Sequence, residues 1–178
     1  MAILNEFLLT DRVAIVTGAS SGLGVAFAQG LAEAGASVVL GARRIDQLES
    51  VAQSIRARGG RAVAVRADVT DPDSCTALAA AAVAEFGRVD ILVNNAGIGT
   101  AYPATRETPE QFLSVMDVNL NGCYWMAQAC GRLMPRGSSI VNISSIVGLT
   151  TAGLPQTAYA ASKAGVHRPD PGSGSAVD

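Results

Sequence analysis

Residues 13–24 read VAIVTGASSGLG, and the fold turns on this stretch. Val13–Thr17 is a run of apolar and β-branched residues, the pattern of a short buried strand. Gly18, Gly22 and Gly24 follow, spaced four and two apart, where a helical pattern opens. Glycines there let the backbone come close to a bound anion, while free amides and the positive end of the helix dipole face its charge. Position favours a pyrophosphate cradle over an ordinary glycine-rich tight turn.

Outward from this turn the alternation of strand and helix continues. The pattern predicts a helix over 22–34, a strand over 37–41, a helix over 47–58 ending at Gly59-Gly60, and a strand over 62–66. Pro72 opens a helix to about residue 86, and 89–93 is an unbroken apolar run, as in a parallel strand covered on both faces. A longer helical pattern covers 109–134 and stops at Pro135; a strand over 139–143 leads into a Gly/Thr/Pro loop, and a last helix begins near Thr157. Successive βα units predict a Rossmann-type, doubly wound parallel sheet in a three-layer αβα sandwich. Such sheets bind ligands at the carboxyl ends of their strands.

The 178 residues are 49% hydrophobic and 16% charged, include 19 glycines and carry a formal net charge of −2. That composition suits a close-packed α/β core and neither a disordered chain nor a disulfide scaffold. With no basic run longer than Arg43-Arg44, nucleic acid is not expected as a partner. The longest uncharged apolar stretch, 77–84, falls far short of the roughly 20 residues of a membrane span. The amino terminus lacks the positive lead and cleavage site of a secretory signal. A cytoplasmic protein without membrane contact is the expectation. Cys75, Cys123 and Cys130 form no CxxC pair, which favours reduced core thiols, and the single His167 cannot by itself anchor a metal site.

Further motifs stand in order: Asp68-Val69, Asn94-Asn95-Ala96-Gly97, VNLNG around Asn119, Ser144-Ser145 at a strand end, and Tyr159-Ala160-Ala161-Ser162-Lys163. With the TGASSGLG turn, they make the chain resemble the short-chain dehydrogenase/reductase family, in its shorter single-domain branch, over 12–166. The resemblance implies hydride transfer between a nicotinamide dinucleotide and a secondary alcohol or ketone, with Asn119, Ser145, Tyr159 and Lys163 as catalytic residues. Tyr159 would be the acid/base. Lys163, four residues on and so on the same helical face, would favour the phenolate and bind ribose. Ser145 would hydrogen-bond the substrate oxygen, with Ser144 turned to the other side and bonded to backbone. Asn119 would relax its helix and hold a water linking the lysine to solvent. Both Asn119 and Gly122 are poor helix formers inside a helical run, a local inconsistency that marks packing or function. The gap from Ser145 to Tyr159 is slightly longer than the family's commonest spacing, and loop 148–157 is expected to absorb it.

For the cofactor, the resemblance assigns Gly18, Ser20, Ser21, Gly22, Leu23 and Gly24 to the pyrophosphate turn. It sets Asp68 and Val69 beside adenine, and Asn95, Ala96 and Gly97 at the sheet centre and adenosine ribose. Asp and Asn also form Asx turns, so a plain loop role stays open at 68 and 95. Ala42 occupies the place of the acid that would bind an NAD ribose, and Arg43 with Arg44 follows. A guanidinium suits a 2′-phosphate, so NADP is expected, with NAD the alternative. The competing reading of the arginines is an exposed basic step into the next helix.

After Val166 the family pattern stops, and HRPDPGSGSAVD holds prolines and glycines that cannot continue a helix. Written as codons and shifted by one base, this tail can read IGLTRDLAQQW, an amphipathic continuation of the family type. The expectation is a dinucleotide-binding domain over 1–166, lacking the family's last two strands, and a disordered, frame-shifted tail over 167–178. Strand five then becomes an exposed edge with uncovered apolar surface. The substrate-reading segments are missing, and the homotetramer frequent in the family is not expected to assemble. The alternative function is a catalytically inactive fragment retaining at most nucleotide binding. An epimerase or dehydratase of the longer branch is disfavoured by the glycine turn and the chain length.

Overall fold

The stretch VAIVT is the central strand of the molecule. In the computed structural model, which describes residues 3–150 and 153–167, it is β1 (Val13–Thr17). It pairs in parallel with β2 (Ser37–Ala42) on one side and β4 (Ile91–Asn94) on the other. Next, β3 (Arg61–Arg66) and β5 (Ser139–Asn142) complete the order β3-β2-β1-β4-β5. Chain direction across the sheet reverses between β1 and β4, where the loops leaving the two strand ends part and leave a crevice.

Every residue of β1 is buried, Val13 and Ile15 toward one helical layer and Ala14 and Val16 toward the other. The first face is covered by α3 (Pro72–Phe86) and α5 (Gly122–Gly131), through Leu78, Ala82 and Met126. On the second, α1 (Leu23–Glu33) and α2 (Ile45–Ala57) bring Ala28, Leu48 and Ile55. This is the three-layer sandwich expected, and α3 carries its Asp71 cap and Pro72 as the sequence indicates.

Ahead of β4, which begins at Ile91 rather than residue 89, Asp90 fastens the strand to β1. Its carboxylate accepts from the Val13 amide at 2.9 Å, from Arg12 at 2.9 Å and from Arg88 at 2.6 Å. Burial opposes ionisation of Asp90, but the hydrogen bonds from Arg88, Val13 and Arg12 outweigh it and hold the carboxyl below its usual range. A depressed folded-state value contributes stability above the unfolded value near pH 4 and loses it as pH falls through the folded value. Asp90→Asn is therefore expected to cost about 2 kcal/mol at pH 7 and less at pH 3, below the unfolded value. Urea unfolding at the two pH values checks this; an equal loss at both would assign the effect to packing alone.

The helical pattern over 109–134 is not one helix. After α4 (Pro109–Met116), closed by a capping box between Thr108 and Gln111, a π turn spans Asp117–Asn121 and the Gly122 amide reaches back to Asp117 O. The glycine at 122 has a packing cause: a β-carbon there would stand 2.8 Å from Val69 Cγ2. Downstream, α5 ends at Gly131, and the amides of Leu133 and Met134 turn back onto Cys130 O.

All four residues of β5 are exposed, Ile140 to 41% and Val141 to 45%, which is the exposed edge expected. The last helix, α6 (Thr157–His167), includes His167, which the sequence reading assigns to the tail. Residues 168–178, with the frame-shift reading built on them, and residues 151 and 152 of the preceding loop lie outside the described residues. Cys75, Cys123 and Cys130 are buried free thiols; burial pushes Cys75 up to about 11 and Cys130 to about 12, leaving them inert. Among the described residues no helix is long and apolar enough to cross a membrane, and no group of three His, Cys, Asp or Glu could hold a metal.

Candidate active site

The glycine turn follows β1 directly and opens α1. Gly22 adopts φ 61 and ψ −138, a conformation essentially restricted to glycine, and as N-cap it offers α1 no side-chain hydrogen bond. A β-carbon on Gly24 would lie 2.4 Å from Gly18 O, so only hydrogen fits. The turn is stitched to the loop after β4. Thr17 Oγ1 accepts from the amides of Asn95 and Ala96, both at 3.0 Å, and Asn95 Nδ2 donates to Thr17 O at 2.9 Å and Gly18 O at 3.3 Å. Asn95 thus ties the end of β4 to the end of β1 at the middle of the sheet.

Between these loops lies a groove of about 390 Å³. Gly18, Ser20, Ser21 and Leu23 line it from the glycine turn, Arg43 and Arg44 from the end of β2, Asp68 and Val69 from the end of β3, and Asn95, Ala96 and Gly97 from the end of β4. Gly22 and Gly24 shape the turn without lining the groove. Ala42, Ala67, Ile98 and Val118 line it too. Ala67, Ile98 and Val118 each adjoin an assigned residue in sequence, Val118 as the first residue of VNLNG, but their types do not mark them as facing a cavity.

Of the two arginines, Arg44 is the one engaged: Nη2 donates to Ser20 Oγ at 3.0 Å and to Ser21 Oγ at 2.8 Å, bringing β2's end onto the glycine turn. Asp68 forms the Asx turn left open above, its Oδ1 accepting from the Thr70 amide at 3.1 Å and the Thr70 hydroxyl at 2.9 Å.

The four residues assigned to catalysis come from three places. Asn119 sits in the π turn, fully buried; Oδ1 accepts from Ile98 N at 2.8 Å, and Nδ2 donates to Ile98 O at 2.9 Å and Ser162 Oγ at 3.0 Å. Both amide protons are spent, so its side chain has none left to give a water. Ser145 lies beyond the end of β5 as N-cap of a 3₁₀ turn (Ile146–Gly148), accepting from Val147 N at 3.4 Å. Its neighbour Ser144 donates to Lys163 O at 2.9 Å, the backbone role expected.

Tyr159 and Lys163 share a face of α6, with Nζ 5.7 Å from the tyrosine ring centroid. Lys163 is 4% exposed and donates to Ile143 O at 2.6 Å; among the described residues no carboxylate pairs with it. Burial weakens its hold on its proton, lowering the pKa, with a smaller opposing effect from the Cys123 thiol. A buried ammonium without a counter-ion beside a groove marks chemistry more often than stability. A β-carbon on Gly97 would lie 3.7 Å from Nζ, so the lysine adjoins the groove's β4 side. His167 Nε2, 3.4 Å from Ser145 O, is a neighbour the sequence did not indicate.

A parallel sheet with its groove at the switch point defines a Rossmann-type α/β protein. The family model described as short chain dehydrogenase matches residues 12–168, and the chain belongs to that family. It is 45% identical to an L-rhamnose 1-dehydrogenase (NAD(P)(+)) of Azotobacter vinelandii over 89% of this chain and 64% of that protein. With a 2-dehydro-3-deoxy-D-gluconate 5-dehydrogenase of Escherichia coli the identity is 38%, over 92% of this chain and 65% of the other. A dehydrogenase/reductase from Sinorhizobium meliloti superposes with a TM-score of 0.90 at 33% identity, covering 93% of this chain and 66% of that one. The chain therefore spans somewhat less than two thirds of the length of these relatives.

Proposed function

We propose that residues 1–166 form a dinucleotide-binding domain that holds NADP(H) in the switch-point groove and acts on a secondary alcohol or ketone. The residues fit such a ligand. Gly18 lines the groove where a β-carbon would stand 2.8 Å from Ala96 Cα, so only glycine lets the turn lie this close to the loop after β4, and the start of α1 supplies amides without a side-chain cap for a pyrophosphate. Asp68 and Val69 are suited to flank the adenine. When bound, the nicotinamide supplies or accepts the hydride. Ser145 hydrogen-bonds the substrate oxygen, and the Tyr159 hydroxyl gives that oxygen its proton. Lys163 holds positive charge at the tyrosine ring and binds ribose, and its weakened proton affinity suits a group that resupplies the phenol.

The observation that carries this reading is the buried Lys163 set over the Tyr159 ring beside a glycine-floored groove. The test is NADPH oxidation by the purified chain, followed at its absorbance maximum with a panel of ketones, and the reverse reaction, reduction of NADP+, with L-rhamnose and 2-dehydro-3-deoxy-D-gluconate. The groove's lining, which among the described residues includes neither Ser145, Tyr159 nor Lys163, favours a second reading, a chain that binds the dinucleotide without turning over. NADPH binding with no turnover across the panel would select it.

NADP preference rests on Arg44 and the two serine hydroxyls it touches. Arg44→Ala is expected to weaken NADPH binding about 10- to 100-fold and leave NADH within about twofold, the loss of charge-assisted hydrogen bonds to one phosphate. Fluorescence titration with both nucleotides checks it; equal loss for both would reject a 2′-phosphate site at Arg44.

A further inference from the structure

We propose that Ser162 is a positioning residue that locks the groove wall at Ile98 to the helix bearing Tyr159 and Lys163, an inference that rests on the function reading above. Ser162 is fully buried on α6. Its hydroxyl donates to Tyr159 O at 2.8 Å and accepts from Asn119 Nδ2 at 3.0 Å. Asn119 in turn holds both backbone polar groups of Ile98, and Ile98 lines the groove. One hydroxyl thus joins α6, the π turn and the loop after β4.

The hydrogen-bond inventory makes this junction exacting. A serine hydroxyl has one proton, and here it goes to Tyr159 O, leaving lone pairs for Asn119. An asparagine amide has two protons, and here both are committed in a site without exposure. Removing the serine oxygen leaves one Asn119 N–H buried without an acceptor, the costly case among hydrogen-bond deletions. Asn119 can recover a partner only by turning, and turning releases Ile98. The disturbance then falls on the groove's β4 side, next to Lys163, and spares the distant side formed by Arg44, Ser20 and Ser21. In the reading above these are the nicotinamide and 2′-phosphate ends of the ligand.

The experiment compares two probes on the full chain: NADPH, and 2′-phospho-ADP-ribose, which is the same molecule without its nicotinamide. For Ser162→Ala the expected result is a Kd for NADPH raised about tenfold, with 2′-phospho-ADP-ribose within about twofold of the unaltered chain. Ser162→Cys is slightly larger but keeps a weak acceptor for Asn119 Nδ2 and a weak donor for Tyr159 O, and is expected to recover part of the loss; it also serves if the alanine variant does not fold. Equal weakening of both probes would reduce Ser162 to a general stabiliser of the fold, and unchanged binding of both would overturn the proposal outright. If the unaltered chain binds neither probe, the function reading itself fails and takes this inference with it, a result distinct from any difference between variants.

Discussion

Tyr159→Phe is expected to lower turnover about 10²- to 10⁴-fold while leaving NADPH affinity within about twofold, the range for removing a positioned general acid. In barrier terms that is about 3–5 kcal/mol. The separation follows from what the substitution leaves alone. The tyrosine ring is only half-buried, packs beside Gly99 and carries Lys163 Nζ over its face, and each of those contacts belongs to the ring rather than to the hydroxyl. Among the described residues the phenol makes no hydrogen bond that would have to be given up. The backbone carbonyl of residue 159 still receives the Ser162 hydroxyl, so α6 keeps its anchorage. Paired measurements of kcat and NADPH Kd decide the matter. Retention of more than about a tenth of the activity would mean that another group delivers the proton.

Gly24→Ala is expected to abolish measurable dinucleotide binding and to cost about 3 kcal/mol of stability, the upper part of the range for overpacking. The reason is backbone against backbone. An added β-carbon meets Gly18 O at 2.4 Å and Ala19 Cα at 2.9 Å, with Asn95 Nδ2 at 2.7 Å on its third side. Of these only the asparagine can move, and moving it breaks its bonds to Thr17 O and Gly18 O. The strand end, the turn and the first turn of α1 have to separate, and they form the cradle proposed for the pyrophosphate. Gly30, in the same helix with open space where its β-carbon would go, provides the control: Gly30→Ala is expected to be neutral or mildly stabilising. Thermal unfolding and NADPH titration of the two variants side by side check the contrast, and similar behaviour would show that the turn tolerates expansion.

Much of this architecture was legible because strand and helix periods are written into the apolar residues. Val13–Thr17 has no polar interruption until Thr17, and the structure uses every position of it. The break in the long helix was not legible, for a definite reason. Val115, Asn119, Cys123, Met126 and Cys130 keep a spacing of three and four straight through the π turn, so the sequence reads as continuous where the hydrogen bonding is not. Asn119 and Gly122 betrayed an irregularity without saying what it was. At the candidate site, chemically distinctive types in the sequence lead to residues that the fold brings to one end of the sheet: Gly18, Arg43 and Arg44 line the groove, and Lys163 lies over the Tyr159 ring. What could not be read was which of two neighbours engages. Arg44, the N-cap residue of α2, reaches the serines where Arg43 does not. Ser162 escaped notice because a small polar residue beside a lysine carries no mark of its burial or of its two partners.

The π turn decides which way α5 faces. A π turn is an α-helix that has taken in one additional residue without lengthening by a full step. Each residue of an α-helix rotates its successor by roughly 100°, so everything beyond such an insertion is re-clocked by about that angle. In this chain α5 owes the direction of Met126 and Cys130, which face α3 and the sheet, to the phase set between Asp117 and Asn121. Losing a single residue there would restore ideal hydrogen bonding and at the same time swing those side chains out of the core. The irregular turn is thus held in place by the far end of the helix, and drift at this point is penalised by rotation rather than by length.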